Sequence, residues 1–105
     1  MYIRIVTFGL DGIAAEQYEA QAEAIAEQFT HWRGLQSKLW LADHATSTFG
    51  GVYLFDSKAH ADETRRSPLF RALTNNPHFT DLTIREYDTL RSPTRTTAAG
   101  VVPTA

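Results

Sequence analysis

Two residues of one predicted strand, Lys38 and Trp40, could together bind and stabilise an anionic aromatic compound. They stand two positions apart in the sequence, and side chains at that spacing on a strand point to the same face of a sheet. The Trp40 indole could stack on a planar substrate while the Lys38 ammonium stabilises an enolate or phenolate. The alternative is that Lys38 is a solvated residue at a sheet edge and that Trp40 packs in a subunit interface.

A second candidate set lies in the stretch "FGGVYLF", residues 49–55. Gly51, Tyr53 and Phe55 alternate along a predicted strand and therefore share one face. Because Gly51 has no side chain, it could open a pocket with a wall of Tyr53 and Phe55, and Thr7 could join it from the first strand. The alternative is that Tyr53 is a core residue whose hydroxyl meets a backbone carbonyl and that the glycines permit a bulge.

Two further polar residues could serve in proton transfer or binding. A neutral imidazole at His60 could act as a general base near pH 7, although an exposed helical histidine would give the same pattern. Arg85 could hold an anion or pair with a glutamate across the sheet. The four histidines show neither HExxH nor His-x-His spacing and the sequence has no cysteine, so we expect no metal site.

The elements that must position these residues are predicted in the order β-α-β-β-α-β. Strands are expected at residues 2–8, 35–42, 49–55 and 79–90. A helix over 13–32 follows from a stripe of apolar residues at alternating steps of four and three, namely Tyr18, Ala22, Ile25, Phe29 and Trp32. A second helical region begins at Asp56 or Ser57, breaks before Pro68 and resumes over 68–76.

This order predicts an α+β, ferredoxin-like βαββαβ fold with a four-stranded antiparallel sheet and helices on one face. The other face would expose apolar side chains, which two subunits can bury by pairing their sheets. We therefore expect a homodimer, a dimeric α/β barrel. The residues expected at its interface are Val6, Trp40, Val52 and Leu54. The barrel domain is predicted over 1–91, with a C-terminal tail at 92–105 that has few core-forming residues.

The composition excludes several classes of function. The chain has 105 residues and a formal net charge of -2, so it lacks the basic surplus that would neutralise a nucleic-acid backbone. No apolar stretch is long enough to span a bilayer, and the first residues do not resemble a signal peptide. We therefore expect no nucleic-acid partner, no membrane partner and a cytoplasmic location.

The chain resembles the YdhR family of monooxygenases, a branch of the dimeric α/β-barrel superfamily that includes the antibiotic-biosynthesis monooxygenases. The resemblance is carried by "DG" at 11–12, "GLQSKLW" at 34–40 and "GGVYLF" at 50–55, and it extends from about Ile3 to Pro93. It implies a homodimeric, cofactor-independent monooxygenase that oxidises a small aromatic or polyketide-like compound with oxygen and without metal or flavin. Two alternatives stay open: a cofactor-free cyclase or isomerase with a base such as His60, and a small-molecule binding protein without turnover.

The same superfamily contains haem-degrading proteins, and the resemblance does not extend to their chemistry. Those members use an asparagine, a tryptophan and a histidine that align with Thr7, Phe55 and Thr74 of this chain. All three residue types differ, so we do not expect haem degradation.

Overall fold

Within residues 1–100, which the computed structural model describes, four antiparallel strands form one sheet in the spatial order β2-β3-β1-β4. The strands are β1 (Tyr2–Leu10), β2 (Leu35–Asp43), β3 (Thr48–Phe55) and β4 (Phe79–Asp88). The first strand lies between the third and the fourth, as the ferredoxin-like arrangement requires. The predicted fold class is confirmed.

Helices connect and cover these strands. They are α1 (Ala15–Phe29), α2 (Lys58–Thr64), α3 (Pro68–Asn75) and α4 (Arg91–Thr97). The second helical region is divided at Pro68, as predicted, and each part has its own serine cap. Ser57 Oγ accepts a hydrogen bond from the backbone N–H of His60, and Ser67 Oγ accepts one from Phe70, both at 3.2 Å. In the described residues, no helix is long and apolar enough to cross a membrane.

The first residues of the predicted C-terminal tail are helical. A tail was expected from residue 92, whereas α4 occupies Arg91–Thr97. The rest of the predicted tail, residues 101–105, lies outside the described residues.

The alternating burial of the residues in β1 shows which face of the sheet the helices cover. Tyr2, Arg4, Val6 and Phe8 are buried, and the intervening residues are only partly buried. Across the sheet, Arg4 stands opposite Tyr53 and Val6 opposite Gly51, so all four lie on the helix-covered face. The sequence placed Val6 on the open face and Thr7 on the covered face; the structure reverses both.

The reason is that the charged residue of this strand faces inward. Arg4 is completely buried, and its Nε lies 2.6 Å from Glu86 Oε2 on the neighbouring strand. Its other nitrogens donate to Thr64 Oγ1 at 2.9 Å and to the Ala61 carbonyl at 2.7 Å, both in α2. Because the guanidinium is paired and hydrogen-bonded, it can lie between the sheet and α2 at an acceptable cost.

The opposite face of the sheet is open in the single chain. Leu39 and Tyr87, which point to this face, are 58% and 50% exposed. Val52 and Leu54 also lie there, as predicted, although Leu54 is only 8% exposed. Trp40 does not belong to this face, because its register partner is Gly51 on the covered side.

Replacing Glu86 by glutamine should destabilise the fold in a pH-dependent way. Burial alone would raise the pKa of Glu86, but hydrogen bonds and charge from Arg4 and Arg65 outweigh burial and hold the pKa below its usual range. At pH 7 we expect Glu86→Gln to lower the free energy of unfolding by about 3 kcal/mol, because Arg4 stays buried without its partner. Urea denaturation followed by circular dichroism measures this difference.

The sign of the pH dependence follows from the lowered pKa. The stabilisation is complete above the ordinary pKa of a glutamate, about 4.3, and is lost as the pH falls below it. The difference in the free energy of unfolding between wild type and Glu86→Gln should therefore become smaller from pH 6 towards pH 3. Asp62→Asn, which removes an exposed ion pair with Lys58, is the control and should leave the free energy of unfolding almost unchanged, because solvent screens an ion pair on the surface. A difference in the free energy of unfolding that stays constant with pH would contradict the role given to the Glu86 carboxylate.

Candidate functional site

A cavity of about 160 Å³ lies between α1, α3 and the covered face of the sheet. Aromatic side chains from both layers line it. They are Phe8, Tyr18, Phe29, Trp40, Tyr53 and Phe79. Leucines and alanines of α1 and α3 complete the apolar lining, and Lys38 supplies its single charged group among the described residues.

The Lys38 amine lies against three aromatic rings. Its Nζ is 3.4 Å from the ring centroid of Trp40, 3.5 Å from that of Phe29 and 4.6 Å from that of Tyr53. Within residues 1–100, Lys38 forms no ion pair with a carboxylate. Burial lowers the pKa of Lys38 to about 7 because it disfavours the charged form.

The two phenols of the cavity behave differently from the amine. Burial raises the pKa of Tyr18 to about 12 and raises that of Tyr53 further. Both hydroxyls are therefore protonated at neutral pH. Among the residues that line the cavity, Lys38 alone changes its charge near pH 7.

The local structure explains how Lys38 reaches this position. In β2, residues 38 and 40 point to the covered face, where Lys38 stands opposite Tyr53 and Trp40 opposite Gly51. A Cβ atom on Gly51 would lie 2.9 Å from Lys38 Cε and 3.3 Å from Tyr53 Cε1. Gly51 was expected to open the pocket itself; instead, the space it leaves is filled by the stem of Lys38.

The predicted aromatic residues take different places around the cavity. Tyr53 is 2% exposed and forms part of the wall, and Trp40 is 37% exposed where the wall meets solvent at the edge strand. Phe55 stacks on Tyr53, with 6.3 Å between ring centroids, but it is a core residue beneath Arg4 and does not line the cavity. The structure thus brings Lys38, Trp40 and Tyr53 together.

Three predicted site residues lie away from the cavity. Thr7 and Arg85 point to the open face of the sheet, where Thr7 stands opposite Gly50 and Arg85 opposite Ile5. His60 lies on α2, where its Nδ1 is 2.6 Å from Asp56 Oδ1. The second helical region does border the cavity, but through α3 and not through the helix that carries His60.

Two polar residues of the cavity were not predicted. Gln21 lies on α1, three residues after Tyr18 and four before Ile25, so the helical spacing could have placed it beside the apolar stripe. Asn76 follows α3, and its Oδ1 accepts a hydrogen bond from the backbone N–H of His78 at 2.9 Å. No sequence pattern indicated Asn76. In the described part of the chain, no three histidine or carboxylate side chains are grouped so that they could hold a metal ion.

Several solved structures have the same fold as this chain. A putative antibiotic biosynthesis monooxygenase from Deinococcus radiodurans is 18% identical, with a TM-score of 0.69 over 88% of this chain and 95% of that chain. SnoaB, a cofactor-independent oxygenase from Streptomyces nogalater that was solved as a point mutant, is 13% identical, with a TM-score of 0.69 over 87% and 94%. A point mutant of MhuD, with two manganese protoporphyrin IX bound per active site, is 15% identical, with a TM-score of 0.69 over 86% and 95%. At these identities the similarity shows the fold alone.

The sequence itself gives the family. Residues 3–100 match the family model described as "Putative mono-oxygenase ydhR", and the chain belongs to that family. No protein with a curated function matches the chain. The predicted resemblance is confirmed, and the match continues beyond Pro93 to include α4.

The two neighbouring glycines of β3 should respond differently to alanine. Gly50 has a φ of +151°, and a Cβ there would overlap the Val6 carbonyl oxygen of the adjacent strand, so the backbone would have to move. We expect Gly50→Ala to lower the free energy of unfolding by about 2 kcal/mol or more. Gly51→Ala should cost less than about 1 kcal/mol, because the nearest obstacle is the flexible Lys38 side chain.

Urea denaturation followed by circular dichroism distinguishes the two variants. Equal losses of stability would show that Gly51 is needed for the strand and not for the position of Lys38.

Proposed function

We propose that this protein is a cofactor-independent monooxygenase that acts on a small aromatic compound bound in the cavity between α1, α3 and the sheet. One observation carries the proposal: an aromatic cavity contains a single amine, on Lys38, that lies against three rings without a carboxylate partner in the described residues. The family match and the fold shared with SnoaB support the same reaction class.

The size of the cavity limits the substrate. An apolar cavity of about 150 Å³ is known to accommodate benzene, and this cavity has about 160 Å³. A single-ring aromatic compound therefore fits without displacing side chains. A larger, polyketide-like substrate would have to move side chains of the wall, such as Trp40, which already reaches solvent.

Lys38 is assigned two linked roles. Its neutral form takes a proton from an acidic C–H or O–H of the substrate, and the ammonium that results stays beside the enolate or phenolate. The electron-rich anion passes one electron to molecular oxygen. The substrate radical and the superoxide that result combine into a peroxide, which takes up a proton. For a methylene substrate the products are a ketone and water, so that one oxygen atom enters the substrate and the other leaves as water.

The remaining cavity residues bind the substrate. The indole of Trp40 and the ring of Phe29 offer faces for stacking, and the buried Tyr53 ring closes the wall behind the Lys38 amine. The proposal gives no role to Thr7 or Arg85, because both point to the other face. An isomerase that uses His60 as its base has lost its support, since His60 does not line the cavity.

Oxygen consumption tests the proposed reaction. Purified protein should consume oxygen with at least one member of a panel of single-ring phenols, aryl ketones and anthrone, measured with an oxygen electrode and confirmed by product mass. Lys38→Met should lower kcat/KM by about 100-fold or more, because the base and the counter-charge are both lost. Lys58→Met, which changes the chain's other lysine on the surface, should leave kcat/KM unchanged.

The opposite results are equally informative. Compounds that bind without any oxygen consumption would favour a non-catalytic binding protein. An unchanged rate in Lys38→Met would remove Lys38 from the mechanism.

We also propose that two subunits pair through the open faces of their sheets. Leu39 and Tyr87 are exposed on that face, and the two inner strands contribute further apolar residues to it, namely Ile3, Ile5, Val52 and Leu54. An interface of this kind should bury more than about 1,000 Å² in total. Pairing would leave each cavity on the outer, helix-covered side of its own sheet.

Leu39→Asp tests this dimer better than a substitution at Leu54. Leu54 is 8% exposed in the single chain, so a charge there would disturb the subunit itself, whereas Leu39 is 58% exposed. In sedimentation at micromolar concentration, the wild type should be a dimer and Leu39→Asp a folded monomer. Gln28→Asp, on the exposed side of α1, should remain a dimer. A monomeric wild type would overturn the proposal.

A further inference from the structure

The chain contains two lysines, and the structure places them in opposite environments. Lys58 is on the surface, where its Nζ lies 2.8 Å from Asp62 Oδ2. Lys38 is partly buried in the aromatic cavity and has no carboxylate partner among residues 1–100. The Lys58 amine is therefore held as a cation by a carboxylate, whereas the Lys38 amine lies in a cavity large enough for a small ligand.

We propose that Lys38 Nζ forms an imine with small aromatic aldehydes or ketones that enter the cavity. The inference uses the cavity of the proposed monooxygenase but requires neither oxygen nor any oxidation step.

The chemistry needs only the amine and the carbonyl compound. The lone pair of neutral Nζ attacks the carbonyl carbon and gives a carbinolamine. The carbinolamine loses its hydroxyl group as water, and the nitrogen and carbon are then joined by a double bond. One nitrogen proton moves to the oxygen as the carbinolamine forms. Solvent then supplies a second proton to the departing hydroxyl group, and the other nitrogen proton returns to solvent. The net products are the imine and one water molecule, and no electrons enter or leave the system.

Three features of the site favour this reaction. The rings that surround Nζ provide faces on which the aryl group of the carbonyl compound can stack. The apolar wall limits the water that would hydrolyse the imine. The amide side chains of Gln21 and Asn76 line the same cavity and can hydrogen-bond the carbonyl oxygen.

Burial also makes Lys38 easier to deprotonate than Lys58. Burial lowers the pKa of Lys38 to about 7, so about half of the amine is neutral and nucleophilic at pH 7. The ion pair with Asp62 raises the pKa of Lys58, so that amine is almost entirely protonated at the same pH. Lys58 is therefore a matched internal control.

Reductive trapping with benzaldehyde tests the proposal. The protein is incubated without oxygen at pH 7 with benzaldehyde and cyanoborohydride, which reduces an imine to a stable benzylamine. Peptide mass mapping then gives the rate of benzylation at Lys38, at Lys58 and at the N-terminal amine separately. We expect Lys38 to be modified at least about tenfold faster than Lys58, because a far larger fraction of it is neutral.

The pH dependence and two variants sharpen the test. Modification of Lys38 should level off above about pH 8, while that of Lys58 should continue to rise beyond about pH 9. Lys58→Met should leave the Lys38 rate unchanged, whereas Gly51→Ala, whose Cβ would displace the Lys38 stem, should slow it by about tenfold. Circular dichroism confirms that each variant is folded.

The outcomes separate this inference from the proposed monooxygenase. Equal rates at Lys38 and Lys58, or modification confined to the N-terminal amine, would overturn the imine even if oxygen consumption is observed. Selective modification of Lys38 without any oxygen-consuming substrate would support the imine and count against the monooxygenase.

Discussion

The burial of Arg4 is the constraint on which the arrangement of the sheet depends. A guanidinium in the middle of the central strand is tolerated only with a partner, and Glu86 provides one at 2.6 Å while α2 supplies two hydrogen-bond acceptors. This pairing fixes which residues of β1 face the helices. Residues that stand opposite each other on paired strands point to the same face of the sheet. Arg4 stands opposite Tyr53 and Tyr53 opposite Lys38, so both Tyr53 and Lys38 lie on the covered side, where the cavity forms.

Local patterns in the sequence were sufficient to predict the strands and helices and part of the candidate site. The four strands and the break at Pro68 follow from alternation and from proline chemistry, both of which act over a few residues. The shared face of Lys38 and Trp40 follows from the two-residue period of a strand, which does not depend on tertiary contacts. The proximity of Tyr53 to this pair required one more fact, the register between β2 and β3.

The incorrect predictions concern residues whose orientation depends on tertiary contacts. Both alternations of β1 are largely apolar, so the pattern could not show that Arg4 faces inward, and Thr7 was assigned to the wrong side. His60 was a candidate general base, but α3 packs at the cavity, and α2, which carries His60, binds Arg4 instead. Gly51 suggested empty space, but the Lys38 side chain from the neighbouring strand fills that space, which no local pattern indicates.

The two tryptophans of the chain give the cavity an optical reporter. Trp32 stacks on Tyr53 with 6.0 Å between ring centroids, and Trp40 meets Phe29 edge-on at 5.6 Å. Both indoles therefore belong to the aromatic cluster around the Lys38 amine, and neither belongs to β4 or α4. Intrinsic tryptophan fluorescence of this protein consequently reports on the β2 side of the aromatic cluster, because the opposite edge strand, β4, carries no tryptophan.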